Sequence, residues 1–282
     1  VSRLAIDAGG TWLRYEVVGQ KSLCGRVSSK DVDLWQFISS MLEKEPDIDA
    51  VAVSFAGQVH EGEIISAPNI KVKERELQTL AETLYGIPLK IENDLNCAAL
   101  AESVYWNEKE LVAIYSGTGL GAGIVSRGEI LHGWRSLAGE IGHIPYKEAP
   151  FTCGCGKRNC IELYASGSGL QKWMREYGCK GEPDLSRLRE SLKSECREIA
   201  KMYEEALLHA VATAVTLLNP KAVVLGGGVV EHNPYLVEVV RRDIANVALK
   251  PSCEALEIRM SEIEDASLEG AKLLLDTITY EL

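Results

Sequence analysis

Two stretches in separate halves of the chain repeat one pattern: an apolar strand, a turn of glycines with a hydroxyl residue, and a second strand running back. In the first, strands over Arg3–Asp7 and Tyr15–Val18 flank Ala8-Gly9-Gly10-Thr11. In the second, Leu111–Tyr115 and Ala122–Val125 flank Ser116-Gly117-Thr118-Gly119-Leu120-Gly121. Apolar runs bounded by glycine turns read as hairpins. A hairpin that recurs in the same style predicts a duplicated α/β domain.

The remaining elements fit that reading. Helices are expected over Leu34–Glu45, Leu77–Tyr85 and Asp94–Trp106, and strands over Ala50–Phe55 and Leu89–Glu92. Later come a long helix over Ser194–Leu218, a strand over Ala222–Leu225 and a last helix over Ser267–Tyr280. The expected domains are 1–108 and 109–266, with 267–282 as a helix packing back on the first.

A second constraint is chemical. Cys153, Cys155 and Cys160 stand among glycines, ten residues and more after His143, and together with His143 supply four soft ligands at metal-site spacing. Zinc takes thiolate and imidazole tetrahedrally, and four protein ligands leave no position for water, so the ion would be structural. The bland alternative, buried free thiols, sits poorly with Gly154, Gly156, Lys157 and Arg158, which are poor core material. Glu140 and Glu162 flank this knot on either side. Cys24, Cys97, Cys179, Cys196 and Cys253 are scattered singly and read as reduced structural thiols. With no disulfide framework and no signal peptide or apolar run of spanning length, the cytoplasm is the expected compartment, away from any membrane.

The formal charge of −11 argues against backbone binding to nucleic acid, which needs clustered Lys and Arg. Asp7, Gly9, Gly10 and Thr11 would instead let backbone N–H groups and a hydroxyl approach phosphate oxygens, with Asp7 holding magnesium through water. Gly117, Thr118 and Gly119 repeat that chemistry, and Gly226, Gly227 and Gly228 offer a flat surface for an adenine ring. Each is an ordinary tight turn when taken alone, but three after apolar strands look like the parts of a nucleotide cradle. None is a P-loop. Asn93-Asp94 between a strand and a helix reads as an N-cap or as a carboxylate facing a cleft, able to take a proton from a hydroxyl. Asn69 and Asn93 carry both donors and acceptors, as sugar hydroxyls require.

In order, Asp7 to Thr11, Pro68-Asn69, Asn93-Asp94-Leu95-Asn96, Ser116 to Gly119, Ala138-Gly139-Glu140-Ile141-Gly142-His143, the cysteine knot through Glu162 and Leu225 to Gly228 resemble the ROK family of bacterial sugar kinases. The resemblance covers nearly the whole chain. It implies an actin-like ATPase fold, with two ribonuclease-H-like α/β domains hinged about a cleft and a structural zinc knot, often as a homodimer or homotetramer. It implies Asp94 as general base, Asn69, Asn93, Glu140, His143 and Glu162 as sugar ligands, and His143 with Cys153, Cys155 and Cys160 as ligands of Zn2+. The glycine turns at 9–11 and 117–119 would bind the phosphates of Mg2+-ATP, and those at 226–228 the adenosine.

The expected reaction is phosphorylation of a hexose at the 6-hydroxyl, with glucose leading over N-acetylmannosamine, N-acetylglucosamine, allose and fructose. A sugar-responsive regulator is the rival of another class, but its winged-helix module finds no room before a strand that begins at about residue 3. A catalytically silent sugar sensor would have lost Asp94 or the phosphate glycines. Two departures stand out: Trp12, where many members carry Lys or Asn, stacks near the nucleotide or packs in the hinge, and Lys71 to Glu76 replaces a Pro-Gly-Trp-like turn.

Overall fold

A computed structural model of the chain describes residues 2–19 and 23–278. In chain order the elements are β1 (Ser2–Ala8), β2 (Trp12–Val18), β3 (Cys24–Ser28), α1 (Leu34–Lys44), β4 (Ile48–Phe55), β5 (Gln58–His60), β6 (Glu63–Ser66), α2 (Leu77–Tyr85), β7 (Leu89–Asn93) and α3 (Asp94–Tyr105). There follow β8 (Leu111–Ser116), β9 (Leu120–Ser126), β10 (Glu129–Ile130), α4 (Glu162–Ala165), α5 (Gly167–Glu176), α6 (Leu185–Arg189), α7 (Ser194–Leu218), β11 (Ala222–Gly226), α8 (Gly228–His232), α9 (Tyr235–Val247), β12 (Glu257–Met260) and α10 (Ala266–Asp276). They fall into two compact units: 1–106 with 129–138 and 263–282, and 107–128 with 139–262. The excursion at 129–138 is one for which the sequence offers no signal.

The first unit is built on a sheet of order β3-β2-β1-β4-β7. β1 pairs antiparallel with β2 and parallel with β4. Its side chains alternate in size across the sheet. Leu4 and Ile6, with Val51 and Val53 of β4, join the larger core cluster, where Leu34, Phe37 and Ile38 of α1 pack. Ala5, Ala50 and Ala52 point to the other face, which receives Cys97 of α3 and Leu268, Ala271 and Leu275 of α10. Small residues on that face let two helices lie close, since side chains of a strand alternate between faces. The closeness has a limit: a Cβ at Gly270 would lie 2.0 Å from the Cys97 carbonyl oxygen, so only glycine fits there. Of the expected helix over Ser267–Tyr280, α10 covers the part to Asp276, and Tyr280 lies outside the described residues.

The second unit repeats the topology. β8 pairs antiparallel with β9 and parallel with β11, which pairs parallel with β12. Leu111, Val112, Ala113 and Ile114 are all buried, as expected for a central strand covered on both faces. The short, charge-bearing edge strand β12 carries little apolar periodicity and was not among the expected elements.

One expectation is overturned. Cys179 and Cys196 are not separate reduced thiols but a disulfide, with Cα atoms 5.9 Å apart. The chain leaves α5, makes the excursion of α6 and returns into the first turn of α7, which brings two cysteines 17 residues apart within bonding reach. This removes cysteine usage as an argument for a reducing compartment. No helix among the described residues is long and apolar enough to cross a membrane.

Candidate active site and metal centre

Sheet register assembles the site of the first unit. Asp7, at the end of β1, has Arg14 of β2 and Ser54 of β4 as its register partners. Its Oδ1 accepts from Ser54 Oγ at 3.0 Å, and Arg14 lies 3.4 Å from Oδ2 while pairing with Asp265 at 2.9 Å. Burial raises the Asp7 carboxyl to about 6 against the lowering effect of Ser54 and Arg14.

The Gly9 N–H donates to the Trp12 carbonyl at 3.0 Å and closes the turn. A Cβ on Gly10 would lie 3.1 Å from Cβ of Asn69, so this turn and Asn69 are neighbours. The Trp12 ring, 38% exposed, carries the Arg26 guanidinium over its face at 4.7 Å.

Asn93 serves as the N-cap of α3. Its Oδ1 accepts from the N–H groups of Leu95 and Asn96, and its Nδ2 donates to the Gly57 carbonyl and to Asp94 Oδ1. Asp94 Oδ1 also accepts from Leu95 N at 3.0 Å. Oδ2 has no hydrogen-bond partner among the described residues. Burial, and then the negative charge of Asp7, raise the Asp94 carboxyl to about 7. The N-cap of α3 is therefore Asn93, and the raised carboxyl belongs to the next residue, Asp94.

Two further groups at this site, Glu92 and His132, escaped sequence reasoning, and Asn96 entered it only as part of a run. Glu92 Oε1 accepts from Asn93 N and from Nδ2 of the buried Asn96, each at 2.8 Å. Its Oε2 meets His132 Nε2 at 2.6 Å. The hydrogen bond that His132 makes to the Glu92 carboxylate raises its imidazole above the ordinary value. Asn96 had a local signal, its place in the Asn-Asp-x-Asn run; a partner 40 residues away in sequence has none.

In the second unit His143, Cys153, Cys155 and Cys160 place their ligand atoms within 4.8 Å of one another. Cys155 and Cys160 sulfurs are 3.3 Å apart, and Cys153 Sγ is 3.7 Å from His143 Nδ1. Tetrahedral zinc with Zn–S of about 2.3 Å has edges of roughly 3.8 Å, so the donor set fits. Desolvation and the neighbouring thiols push Cys160 up to about 12, so a cation among them is what would hold all three as thiolates. His143 presents Nδ1 to this cluster and Nε2 toward Glu140 Oε2, 3.7 Å away. The two ring nitrogens thus face different groups.

Glu162, opening α4, joins the knot to the second glycine turn. Its Oε1 accepts from Cys153 Sγ at 3.5 Å and its Oε2 from Leu120 N at 3.1 Å. The turn holding Glu140 and His143 lies on the same strand: a Cβ at Gly142 would sit 2.2 Å from the Leu120 carbonyl oxygen. The third turn packs on the second, with Gly227 at φ +86° and any Cβ there 2.6 Å from the Ser116 carbonyl oxygen. Gly117 and Gly228 face open space. Asp7, Gly9, Gly10, Asn69, Asn93 and Asp94 thus belong to one unit, and Gly117, Thr118, Gly119, Glu140, His143, Glu162 and the three late glycines to the other.

A family model described as the ROK family matches residues 3–278. A glucokinase of Halalkalibacterium halodurans is 28% identical, over 96% of this chain and 94% of its own. An N-acetylglucosamine repressor of Escherichia coli is also 28% identical, over 85% of this chain but 63% of its own. Among solved structures, a ROK family glucokinase from Streptomyces griseus, in complex with glucose and AMPPNP, superimposes with a TM-score of 0.76 at 22% identity, over 97% of this chain and 99% of that one.

Proposed function

The chain belongs to the ROK family, with its actin-like ATPase fold, and from that premise we propose that it is an ATP-dependent kinase that phosphorylates a hexose at the 6-hydroxyl, glucose first among the candidates. The observation that carries the reading is Asp94: a carboxyl raised to about 7 at a helix N-terminus, with one oxygen pinned by Leu95 and Asn93 and the other free. A base of that kind is matched to a proton removed near neutral pH.

In the proposed reaction Asp94 Oδ2 accepts the proton of the 6-hydroxyl as the sugar oxygen bonds to the γ-phosphorus and the bond to ADP breaks. Asn69, Asn93, Glu140, His143 and Glu162 hold the sugar. The turns of Gly9, Gly10 and Thr11 and of Gly117, Thr118 and Gly119 receive the phosphates, with the N–H groups of Gly9 and Gly117 closing the turns on the Trp12 and Gly119 carbonyls, and Gly226, Gly227 and Gly228 receive the adenosine. Asp7, whose oxygens already face Ser54 and Arg14, would meet magnesium through water. Magnesium supplies charge neutralisation on the phosphates. Zinc on His143, Cys153, Cys155 and Cys160 would fix the His143 ring, leaving Nε2 for substrate. ATP as donor favours a cytoplasmic setting, and a homodimer or homotetramer is the expected assembly.

ADP release from Mg2+-ATP over glucose, mannose, fructose, allose and the N-acetylhexosamines, with Asp94→Asn as background, tests this. Sugar-dependent ADP on one member supports the kinase and names the sugar. Sugar binding without any turnover would replace the reading with a silent sensor. Specific DNA binding at physiological salt would favour a regulator, the class of the Escherichia coli repressor.

A further inference from the structure

The ten-residue excursion 129–138 groups with the first unit although the chain before and after it belongs to the second. Apolar burial does not hold its latter part, since Trp134 is 93% exposed and Leu137 44%. Its hold is polar. The Ala138 N–H donates to the His132 carbonyl at 3.0 Å and closes a loop, in which Ser136 adopts φ +55°. That loop is pinned by Ser136 Oγ to His60 Nδ1 at 3.1 Å and by His132 Nε2 to Glu92 Oε2 at 2.6 Å.

Glu92 is the point through which such a pin can act on chemistry. Its other oxygen fixes the backbone of Asn93 and the side chain of Asn96, two residues of the segment that presents Asp94. Asn93 in turn donates to Asp94 Oδ1 and to the Gly57 carbonyl. A continuous chain of hydrogen bonds therefore runs His132–Glu92–Asn93–Asp94. Directly after the loop come Gly139 and Glu140.

We propose that His132 is a positioning residue: through Glu92 it holds Asn93 and the first turn of α3 in the geometry that presents Asp94, and it makes that geometry depend on the seating of the 132–138 loop. The inference rests on Asp94 as the base of a sugar kinase. A carboxylate held through both oxygens is fixed in orientation, and loss of the His132 donor leaves Glu92 held through Oε1 alone.

The test uses the full chain with His132→Ala, His132→Gln and Glu92→Gln, read by two methods. In the first, 13C NMR follows the Asp94 carboxyl titration, assigned by its absence in Asp94→Asn. His132→Ala is expected to move it by about one pH unit toward the ordinary aspartate range as water reaches α3, and His132→Gln, which keeps a donor, to leave it near the wild-type value. In the second, kinetics with the preferred sugar should show kcat about tenfold lower in His132→Ala with the KM for ATP unchanged, rescue to within about twofold in His132→Gln, and no further loss when His132→Ala is added to Glu92→Gln. An unmoved titration in His132→Ala overturns the proposal, as do an equally impaired His132→Gln or losses that multiply. A wild-type chain that phosphorylates no sugar would instead sink the kinase reading, and the titration would still decide the role of His132.

Discussion

Replacing Asp94 with Asn should abolish turnover and at the same time stabilise the protein, and the second effect should exist only above mildly acidic pH. In the fold the Asp94 carboxyl is raised from 3.8 to about 7 by burial and by the charge of Asp7. Between those values the unfolded chain has released this proton while the folded chain still binds it. Stability therefore falls as pH rises through that window and levels off above about 7. At about 1.36 kcal/mol per unit, the displacement corresponds to roughly 4 kcal/mol of strain carried by the ionised fold.

Asparagine has the shape of the neutral acid and keeps an acceptor for Leu95 N, so it carries none of that strain. The variant should match the wild type near pH 4 and exceed it by about 4–10 °C in Tm near pH 8. Differential scanning calorimetry of both proteins from pH 4 to 8.5 measures this, and the difference cancels every other titrating group. In parallel, wild-type kcat/KM should fall about tenfold per pH unit below about 7. A Tm difference that is constant with pH, or a variant less stable at pH 8, would refute the electrostatic argument.

Other predictions concern the rest of the fold. Purified protein should contain zinc in proportion to chain; Cys155→Ser or chelation should remove it, lower Tm by more than about 5 °C and raise the sugar KM, and metal analysis that finds no zinc ends that reading. Gly270→Ala should cost about 1–3 kcal/mol, because its Cβ meets the Cys97 carbonyl oxygen and α10 must retreat from α3; denaturation at an unchanged denaturant concentration would contradict it. Cys196→Ser should cost about 3 kcal/mol by freeing a 17-residue loop in the unfolded chain, with the same loss on reduction of the wild type. Thiol titration that finds all eight cysteines free in non-reduced protein would exclude the bond.

The glycine turns and the cysteine knot were legible because their signals are local. The alternation of Leu4-Ala5-Ile6 and of Ala50-Val51-Ala52-Val53 announces buried strands, and the sheet uses those residues on the faces the alternation predicts. Most strand ends moved by only a residue or two, as at Ser2–Ala8 and Leu89–Asn93, where backbone pairing extends one residue past the apolar run, while β2 begins three residues before the expected Tyr15, at Trp12. Asn93-Asp94 was recognisable because capping chemistry repeats within three residues.

What sequence determined by itself, then, is whatever a few neighbouring residues decide: turn conformation, the face each strand side chain takes, the clustering of Cys153, Cys155 and Cys160, and the helix start that carries Asp94. What only tertiary structure decided are pairings whose partners meet through sheet register and helix docking. Arg14 and Ser54 flank Asp7 because β2 and β4 register on β1. Cys179 meets Cys196 because α6 turns back, and His132 meets Glu92 because a short excursion returns to the first unit. The raised titration of Asp94 is of the second kind too, since desolvation and the nearness of Asp7 exist only when β1 and α3 are packed, and no local pattern encodes the dielectric around a side chain.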